Sequence, residues 1–379
     1  MLGAVGNSRV LLLIVYMATL IAMSRLMFSA LAPLIKAEFM LNYLQVGSPT
    51  SAALIFAALA YGSSGFLTYR FGPRVVLLLA TAMMITGALG TATSTNFALL
   101  VLFQGAAGLG EGLFYVSAIV LLTNLYSASK VGRVVGIMEG ALNFGVVLAL
   151  IVGTGVSALF GWRNAYLLLS VLGVLVIIFE VRMLPKSMPN YHHTYLRKMF
   201  ADPFIATLFV LVSLFFVVYW SFWGFVPTYL IDQLHIPYVL SGFLGAFCFI
   251  FASLAAFAGG MLLDKVGVKR ASLLVIILSA FFLALFALTR IVFLAAISLM
   301  VVLPALGSWL TILIASFPKR YPRHELGRMY GILFSVSYLV GSFGPIFVGH
   351  IADTYGFTSG FLLLVVLLGL AGVIVRKRL

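Results

Sequence analysis

The feature that most constrains this chain is a series of apolar stretches, each near twenty residues long, that recurs along its whole length. The sequence is 63% hydrophobic and only 8% charged, which excludes an ordinary soluble domain. A helix needs ~20 apolar residues to cross a bilayer core roughly 30 Å thick, so each stretch predicts a transmembrane helix. The predicted spans are residues 10–32, 48–69, 75–93, 98–122, 134–158, 165–183, 204–230, 239–263, 271–289, 291–316, 329–351 and 358–375. The predicted fold class is an all-α membrane protein with twelve transmembrane helices.

The net charge of +14 would suit a nucleic-acid partner, but the placement of the basic residues argues against one. If the N-terminus is cytoplasmic, nearly all lysines and arginines of the loops fall on the cytoplasmic side, and the other side has only Lys36, Arg163 and Arg290. This asymmetry follows the positive-inside rule and predicts that both termini are cytoplasmic. The expected partner is the lipid bilayer, with no nucleic acid. Because the chain is short and poor in loops, it is expected in a prokaryotic inner membrane.

The second half of the chain repeats the first at a nearly constant offset of about 195 residues, as in the pair Gly161 and Gly356. Two copies in the same orientation predict two parallel six-helix bundles, a plan found among secondary transporters. The predicted domains are residues 1–184 and 204–379, joined by a cytoplasmic linker at 185–203.

Each repeat carries a basic, glycine-containing loop after its second span. Both loops resemble the G-x-x-x-D-R/K-x-G-R/K-R/K loop of the major facilitator superfamily, although Tyr69 occupies the aspartate position of the first copy. The resemblance spans the whole chain, and it implies the fold of that superfamily and a role of the loops in gating. The candidate gating and structural residues are Gly65, Arg70, Gly72, Arg74, Gly260, Asp264, Gly267, Lys269 and Arg270.

Arg25 lies inside the first apolar span, about fifteen residues beyond the basic N-terminal flank, which is ~22 Å along a helix. An arginine at mid-helix costs about 2.5–3.5 kcal/mol on insertion scales, so it needs water or a partner. The position predicts a role in binding substrate or in coupling. The alternative is a structural one, in which the guanidinium holds helices together.

Glu111 lies near the middle of the fourth span, and Gln104, Gly108, Glu111 and Tyr115 follow one stripe of that helix. An ionised carboxylate is costly at this depth unless a cation lies near it, so Glu111 is suited to bind and release a proton. A structural pair with Arg25 is the alternative interpretation.

The run around Arg25 and the G-x-G-E-G sequence that contains Glu111 resemble the organic anion:cation symporter branch, with some likeness to spinster-type transporters. In that branch, an aspartate–arginine pair in helix 1 and an arginine and a glutamate in helix 4 bind the anion and carry protons. Arg25 and Glu111 match this pattern, whereas Ser24 and Gln104 stand at the aspartate and helix-4 arginine positions. The resemblance implies that Arg25 binds the anion and Glu111 carries the proton.

Polar and aromatic residues inside other spans are candidates to line a cavity, although packing is the plainer explanation for buried aromatic side chains. The candidate substrate-binding residues, with Arg25, are Gln104, Tyr115, Tyr219, Trp223, Trp309 and Tyr338. Glu139 lies near the start of its span and close in sequence to Arg133, which favours a helix-end ion pair.

The sequence contains no phosphate-binding glycine loop, nucleophile triad or metal-spaced histidine cluster, and it has one cysteine, Cys248. We therefore expect neither an enzyme nor a cofactor or metal. The prediction is a monomeric secondary transporter that works by alternating access and carries a small organic anion, such as a monocarboxylate, together with protons. The alternatives are efflux of amphipathic drugs or lysolipids, and a membrane sensor or scaffold that does not transport.

Overall fold

The computed structural model describes residues 4–185, 202–316 and 323–379, and its regular secondary structure in these ranges is helical. The predicted linker at 185–203 lies almost entirely outside the described residues. The helices are α1 (Ala4–Phe39), α2 (Tyr43–Thr93), α3 (Phe97–Leu125), α4 (Ala128–Phe160), α5 (Trp162–Met183), α6 (Pro203–Asp232), α7 (Tyr238–Leu288), α8 (Val292–Ala315), α9 (Arg323–Gly341) and α10 (Phe343–Arg378). Within the described residues, 10 helices are long and apolar enough to cross a membrane.

Three of these helices contain a sharp internal break at a glycine. Gly72 in α2, Gly267 in α7 and Gly356 in α10 have φ values of 81°, 80° and 82°. Only glycine adopts this conformation without steric cost, so the loops predicted from sequence are tight kinks rather than long connections. Because α2 and α7 are each 51 residues long, each contains two of the predicted spans.

The backbone repeats at the offset found in the sequence. Positive φ angles occur in pairs of similar value about 195 residues apart. Two of these pairs are glycines, and the third is a methionine and a histidine. The pairs are Met40 (φ 52°) with His235 (54°), Gly72 (81°) with Gly267 (80°), and Gly161 (87°) with Gly356 (82°). The internal repeat of the sequence therefore has a counterpart in the conformation of the chain.

The described chain forms two compact units. The first, unit 1, is made of Met1–Leu31, Ala52–His193 and Tyr330–Ser335. Its α3 packs tightly on α2, since a Cβ atom added at Gly112 would lie 2.5 Å from the Ala57 carbonyl oxygen. Glycines on α3 thus let the two backbones approach closely, which holds Glu111 against α2.

The second, unit 2, is made of Ala32–Ser51, Thr194–Met329 and Val336–Leu379. The start of α2 packs here on α10, since a Cβ atom at Gly349 would lie 2.5 Å from the Tyr43 carbonyl oxygen. The eleventh predicted span is interrupted, because α9 ends at Gly341 and α10 begins at Phe343. Gly349 lies beyond this break and permits the close packing on α2.

Candidate functional site

The centre of the candidate site is an ion pair inside unit 1, formed by α1 and α3. Arg25 Nη1 donates to Glu111 Oε1 at 3.0 Å. The Arg25 side chain is 20% exposed and the Glu111 side chain 8% exposed. The guanidinium is therefore neutralised by a nearly buried carboxylate, and the Arg25 side chain is the more exposed partner of the pair.

Tyr61 of α2 is a further partner of this carboxylate. Its hydroxyl lies 3.4 Å from Glu111 Oε1, and the residue is only 4% exposed. A phenolic O–H that points at the same oxygen as Arg25 can hold the carboxylate in place when the guanidinium turns away. From the sequence, Tyr61 is only a weak candidate to line a cavity, and its contact with Glu111 makes it a member of the site.

Tyr115 connects the pair to a second acid. Its hydroxyl donates to Glu139 Oε1 at 2.7 Å, and its ring meets that of Tyr61 edge to face, with 6.0 Å between the ring centroids. The positive charge of Arg25 also acts on Glu139. The expected helix-end ion pair of Glu139 with Arg133 is not among the salt bridges of the described residues, and the carboxylate instead accepts the short hydrogen bond from Tyr115.

The aromatic wall of this site is completed by Phe334 of α9, which belongs to unit 1. Its ring centroid lies 5.7 Å from those of both Tyr61 and Tyr115. The three rings thus contact one another, and the two tyrosine hydroxyls bond the acids Glu111 and Glu139. Such a combination is typical of small-molecule sites, in which a few polar groups fix orientation within an apolar lining.

Gln104 is occupied elsewhere in unit 1. Its amide nitrogen donates to Thr91 Oγ1 at 3.0 Å and to the Tyr166 hydroxyl at 3.1 Å, and the residue is buried. These bonds join α3 to α2 and α5. The structure gives Gln104 partners within the helix packing and records no bond from it to Arg25 or Glu111 among the described residues.

The remaining predicted binding residues lie in unit 2 and form an aromatic cluster around α6. The Tyr219 ring stacks on Phe215 with 5.2 Å between the centroids, and Trp309 meets Phe215 edge to face at 5.8 Å. Tyr338 and Trp223 make ring contacts with other aromatic residues and are almost fully buried. Tyr219 is the half-exposed member of this cluster.

The predicted gating loops coincide with the kinks of α2 and α7. Gly72 and Gly267 are the kink residues themselves, and Arg74 donates from Nη2 to the Val181 carbonyl oxygen at 2.6 Å. That bond attaches the first loop to the end of α5. The other residues of this set are Gly65, Arg70, Gly260, Asp264, Lys269 and Arg270, which are exposed except for the half-buried Gly260.

The chemistry available in unit 1 is recognition of charge and transfer of protons. An arginine offers a planar set of donors that matches a carboxylate, and two acids can exchange protons near it. No group of three or more metal-ligating side chains occurs in the described ranges. The arrangement is suited to bind an anion in exchange for a carboxylate of the protein.

Curated relatives match only part of this chain. The purine ribonucleoside efflux pump NepI of Salmonella paratyphi B is 28% identical over 147 residues, which are 38% of this chain and 37% of the pump. The NepI protein of Salmonella paratyphi A matches equally, also over 37% of its own length. The similarity therefore extends over little more than a third of either protein.

Solved structures match nearly the whole chain. A bacterial homolog of the human lysosomal transporter Spinster has a TM-score of 0.85 and 16% identity, covering 99% of this chain and 97% of the other. The D-xylose-proton symporter has a TM-score of 0.83 and 18% identity, with 98% and 97% covered. At these identities the likeness establishes the fold alone.

The sequence profile of the Major Facilitator Superfamily matches residues 14–345. This range includes the Arg25–Glu111 pair, the first predicted repeat from residue 14 and the second up to residue 345, and it agrees with the expectation drawn from the two glycine loops. The chain is therefore a membrane transporter that belongs to the Major Facilitator Superfamily.

Proposed function

We propose that the protein carries a small organic anion together with protons by alternating access. The observation that supports this most directly is the bond of 3.0 Å between Arg25 and Glu111, in which a carboxylate of the protein occupies the place that the carboxylate of a cargo would take. Removing one partner of a buried charge pair leaves an unpaired charge, which is strongly unfavourable. We therefore expect Arg25 to bind either Glu111 or the cargo.

The proposed cycle follows from competition for the guanidinium. A proton that binds Glu111 removes its charge and weakens its bond to Arg25. Arg25 then binds the anionic cargo through charge-assisted hydrogen bonds, which are worth about 1.5–3 kcal/mol each. Loss of the proton on the other side of the membrane restores the Arg25–Glu111 pair and releases the cargo.

The exposed fraction of Arg25 supports access to the site. A guanidinium that faced hydrocarbon would be costly, whereas one that faces a water-filled opening is tolerated. The exposed fifth of this side chain therefore suits an opening that admits cargo. The rings of Tyr61, Tyr115 and Phe334 favour an anion with an apolar body. The single guanidinium of Arg25 suits an anion with one acidic group.

The same proposal includes the full topology. The ten helical runs, with their breaks at Gly72, Gly267 and Gly356 and with α9 counted together with the start of α10, account for twelve spans. We place both termini in the cytoplasm of a prokaryotic cell, the domains at 1–184 and 204–379, and the active form as a monomer. Labelling of single cysteines introduced at Ser8 and Leu379, with Cys248 replaced, tests the sidedness.

Uptake into liposomes under an imposed pH gradient tests the transport cycle. With a panel of small carboxylates that includes pyruvate and phenylpyruvate, an acidic outer solution should drive accumulation in the wild type. Arg25→Ala should abolish uptake, and Glu111→Gln should bind and exchange cargo but fail to accumulate it against a gradient. Normal gradient-driven accumulation by both variants, or no uptake of any carboxylate by the wild type, contradicts the proposal.

A second candidate is efflux of a nucleoside. It is favoured by the partial match to a purine ribonucleoside efflux pump, and a nucleoside transporter, NupG, shares the fold with a TM-score of 0.83 at 12% identity. The aromatic cluster around Phe215 would suit a purine ring. Thermal-shift binding of inosine, phenylpyruvate and a lysolipid to the purified protein separates this candidate, the organic anion and the amphipathic cargo.

A further inference from the structure

Glu139 stands out because the transport cycle above does not use it, although it lies in the same network. Its carboxylate accepts a hydrogen bond of 2.7 Å from Tyr115, a residue one helical turn beyond Glu111 on α3. A glutamate inside a membrane-spanning helix that bonds a site residue is a functional candidate rather than a surface charge.

The titratable groups around Glu139 come from two helices besides its own α4. Arg25 of α1 acts on it through its positive charge, and Tyr115 of α3 donates to it. From α5, which also packs on α4, the described residues contribute no ion pair or hydrogen bond to Glu139. Arg25 therefore bonds Glu111 directly, and Glu139 is bonded by Tyr115, which lies on the same helix as Glu111.

The net charge of Arg25, Glu111 and Glu139 indicates how many protons accompany an anion. With all three groups ionised, Arg25, Glu111 and Glu139 sum to one negative charge. A monovalent anion would raise this to two negative charges inside the membrane, which is strongly unfavourable. One proton on each carboxylate leaves only Arg25 and the anion charged, so that the loaded site is neutral.

We propose that Glu139 is a second proton-binding carboxylate of this site, bonded to Tyr115, whose ring contacts the ring of the Glu111 partner Tyr61, so that two protons accompany each monovalent anion. The inference rests on the proposed symport. One proton adds to a carboxylate oxygen of Glu111 and one to a carboxylate oxygen of Glu139, and both leave with the anion. Each cycle then moves one net positive charge in the direction of the cargo.

Electrical measurements with phenylpyruvate test this stoichiometry. In liposomes, an inside-negative potential should accelerate wild-type uptake several-fold. In Glu139→Gln, one proton accompanies each anion and no net charge moves, so uptake should continue but lose its dependence on potential. Potential-independent uptake by the wild type overturns the inference without a variant, and potential-dependent uptake by Glu139→Gln overturns it as well.

Infrared spectroscopy of the protein in liposomes provides a readout without cargo. A pH titration should show a protonated carboxylic acid band that is missing in Glu139→Gln and shifted in Tyr115→Phe, which removes only the hydrogen bond. Glu180→Gln is the matched control, since Glu180 is a buried acid of α5 that accepts a hydrogen bond from Thr81 away from the site. It should leave the Glu139 band and the potential dependence unchanged.

The outcomes separate the two proposals. If no carboxylate is carried and Arg25→Ala behaves as the wild type, the symport itself fails. If Arg25→Ala and Glu111→Gln behave as expected but the carboxylic acid band assigned to Glu139 persists in Glu139→Gln, only the proposal that Glu139 binds a proton is wrong.

Discussion

Two ion pairs of this protein use the same chemistry in different surroundings. In unit 1, Arg25 in the interior of α1 binds Glu111 of α3 at 3.0 Å. In unit 2, Lys36 in the last turn of the same helix binds Asp232, the last residue of α6, at 2.6 Å. One helix thus contributes a cation to each unit.

The partners of the two pairs differ in what they can exchange. Around Arg25 lie a second acid and two tyrosine hydroxyls, so its bonding can be redistributed without leaving a charge alone. Around Lys36, the Tyr43 hydroxyl also donates to Asp232 at 2.9 Å and the Lys36 amine lies 4.2 Å from the Tyr43 ring centroid. These contacts are mutually reinforcing and offer no alternative acid to Lys36.

Helix ends in unit 2 are further joined by Asp353. Its two carboxylate oxygens accept from the backbone nitrogens of Tyr43 and Leu44, at 2.8 and 2.9 Å, so that a side chain of α10 caps the start of α2. Lys36, Tyr43, Asp232 and Asp353 form a structural clasp in unit 2, whereas we propose that Arg25 changes partners. The difference teaches that burial and the choice of neighbours, rather than the pair itself, separate a binding site from a structural contact.

The largest effect should come from replacing the arginine of the Arg25–Glu111 pair by lysine. Arg25→Lys keeps the charge but loses the planar set of donors, and because charge-assisted bonds are worth about 1.5–3 kcal/mol we expect initial uptake to fall roughly 10- to 100-fold. Lys36→Arg is the matched control and should change uptake by less than about twofold, because a more exposed pair is worth only about 0–1 kcal/mol. Equal losses in the two variants would remove the distinction drawn here.

A charge reversal at the clasp should have a smaller effect, and on stability rather than on coupling. Lys36→Asp places two carboxylates together and should lower the apparent melting temperature by about 2–4 °C, the shift expected for ~1 kcal/mol. The double variant Lys36→Asp with Asp232→Lys restores opposite charges and should recover most of the loss in a thermal unfolding assay. If the double variant is as unstable as the single one, the pair does not act as a clasp.

The smallest effect should follow removal of one hydroxyl from the clasp. Tyr43→Phe keeps the ring beside Lys36 but deletes the bond to Asp232, which is worth about 0.5–1.5 kcal/mol. We expect a melting temperature lower by roughly 1–3 °C and unchanged dependence of uptake on pH. Tyr355→Phe, on an exposed side chain of α10, is the control and should show no shift. A change in pH dependence in Tyr43→Phe would place the clasp within the coupling machinery.

The helices and their breaks could be predicted from the sequence because they depend on local properties. Apolar length decides where a chain can cross a membrane, and glycine alone tolerates the φ values found at Gly72 and Gly267. The same applies to Arg25 and Glu111 as candidates, since a charge inside an apolar span is visible without any knowledge of its neighbours. The repeat likewise needs only comparison of the chain with itself.

Contacts between helices could not be predicted in this way. Tyr115 and Glu139 are 24 residues apart on different helices, and nothing in their spacing indicates a hydrogen bond. The sequence placed Lys36 on the outer side but did not pair it with Asp232, because a separation of 196 residues carries no information about distance. Gln104 stands at an arginine position of the family, yet its amide is bonded to Thr91 and Tyr166.

The sequence by itself determined that this chain is an all-helical membrane protein of repeated halves with an arginine and a glutamate inside apolar spans, because hydropathy, glycine positions and charge are read residue by residue. Only the tertiary structure decided that these two side chains meet, that Glu139 bonds Tyr115, and that Lys36 belongs to a separate clasp. The physical reason is that a hydrogen bond requires a separation of roughly 3 Å, and the packing of whole helices sets that separation.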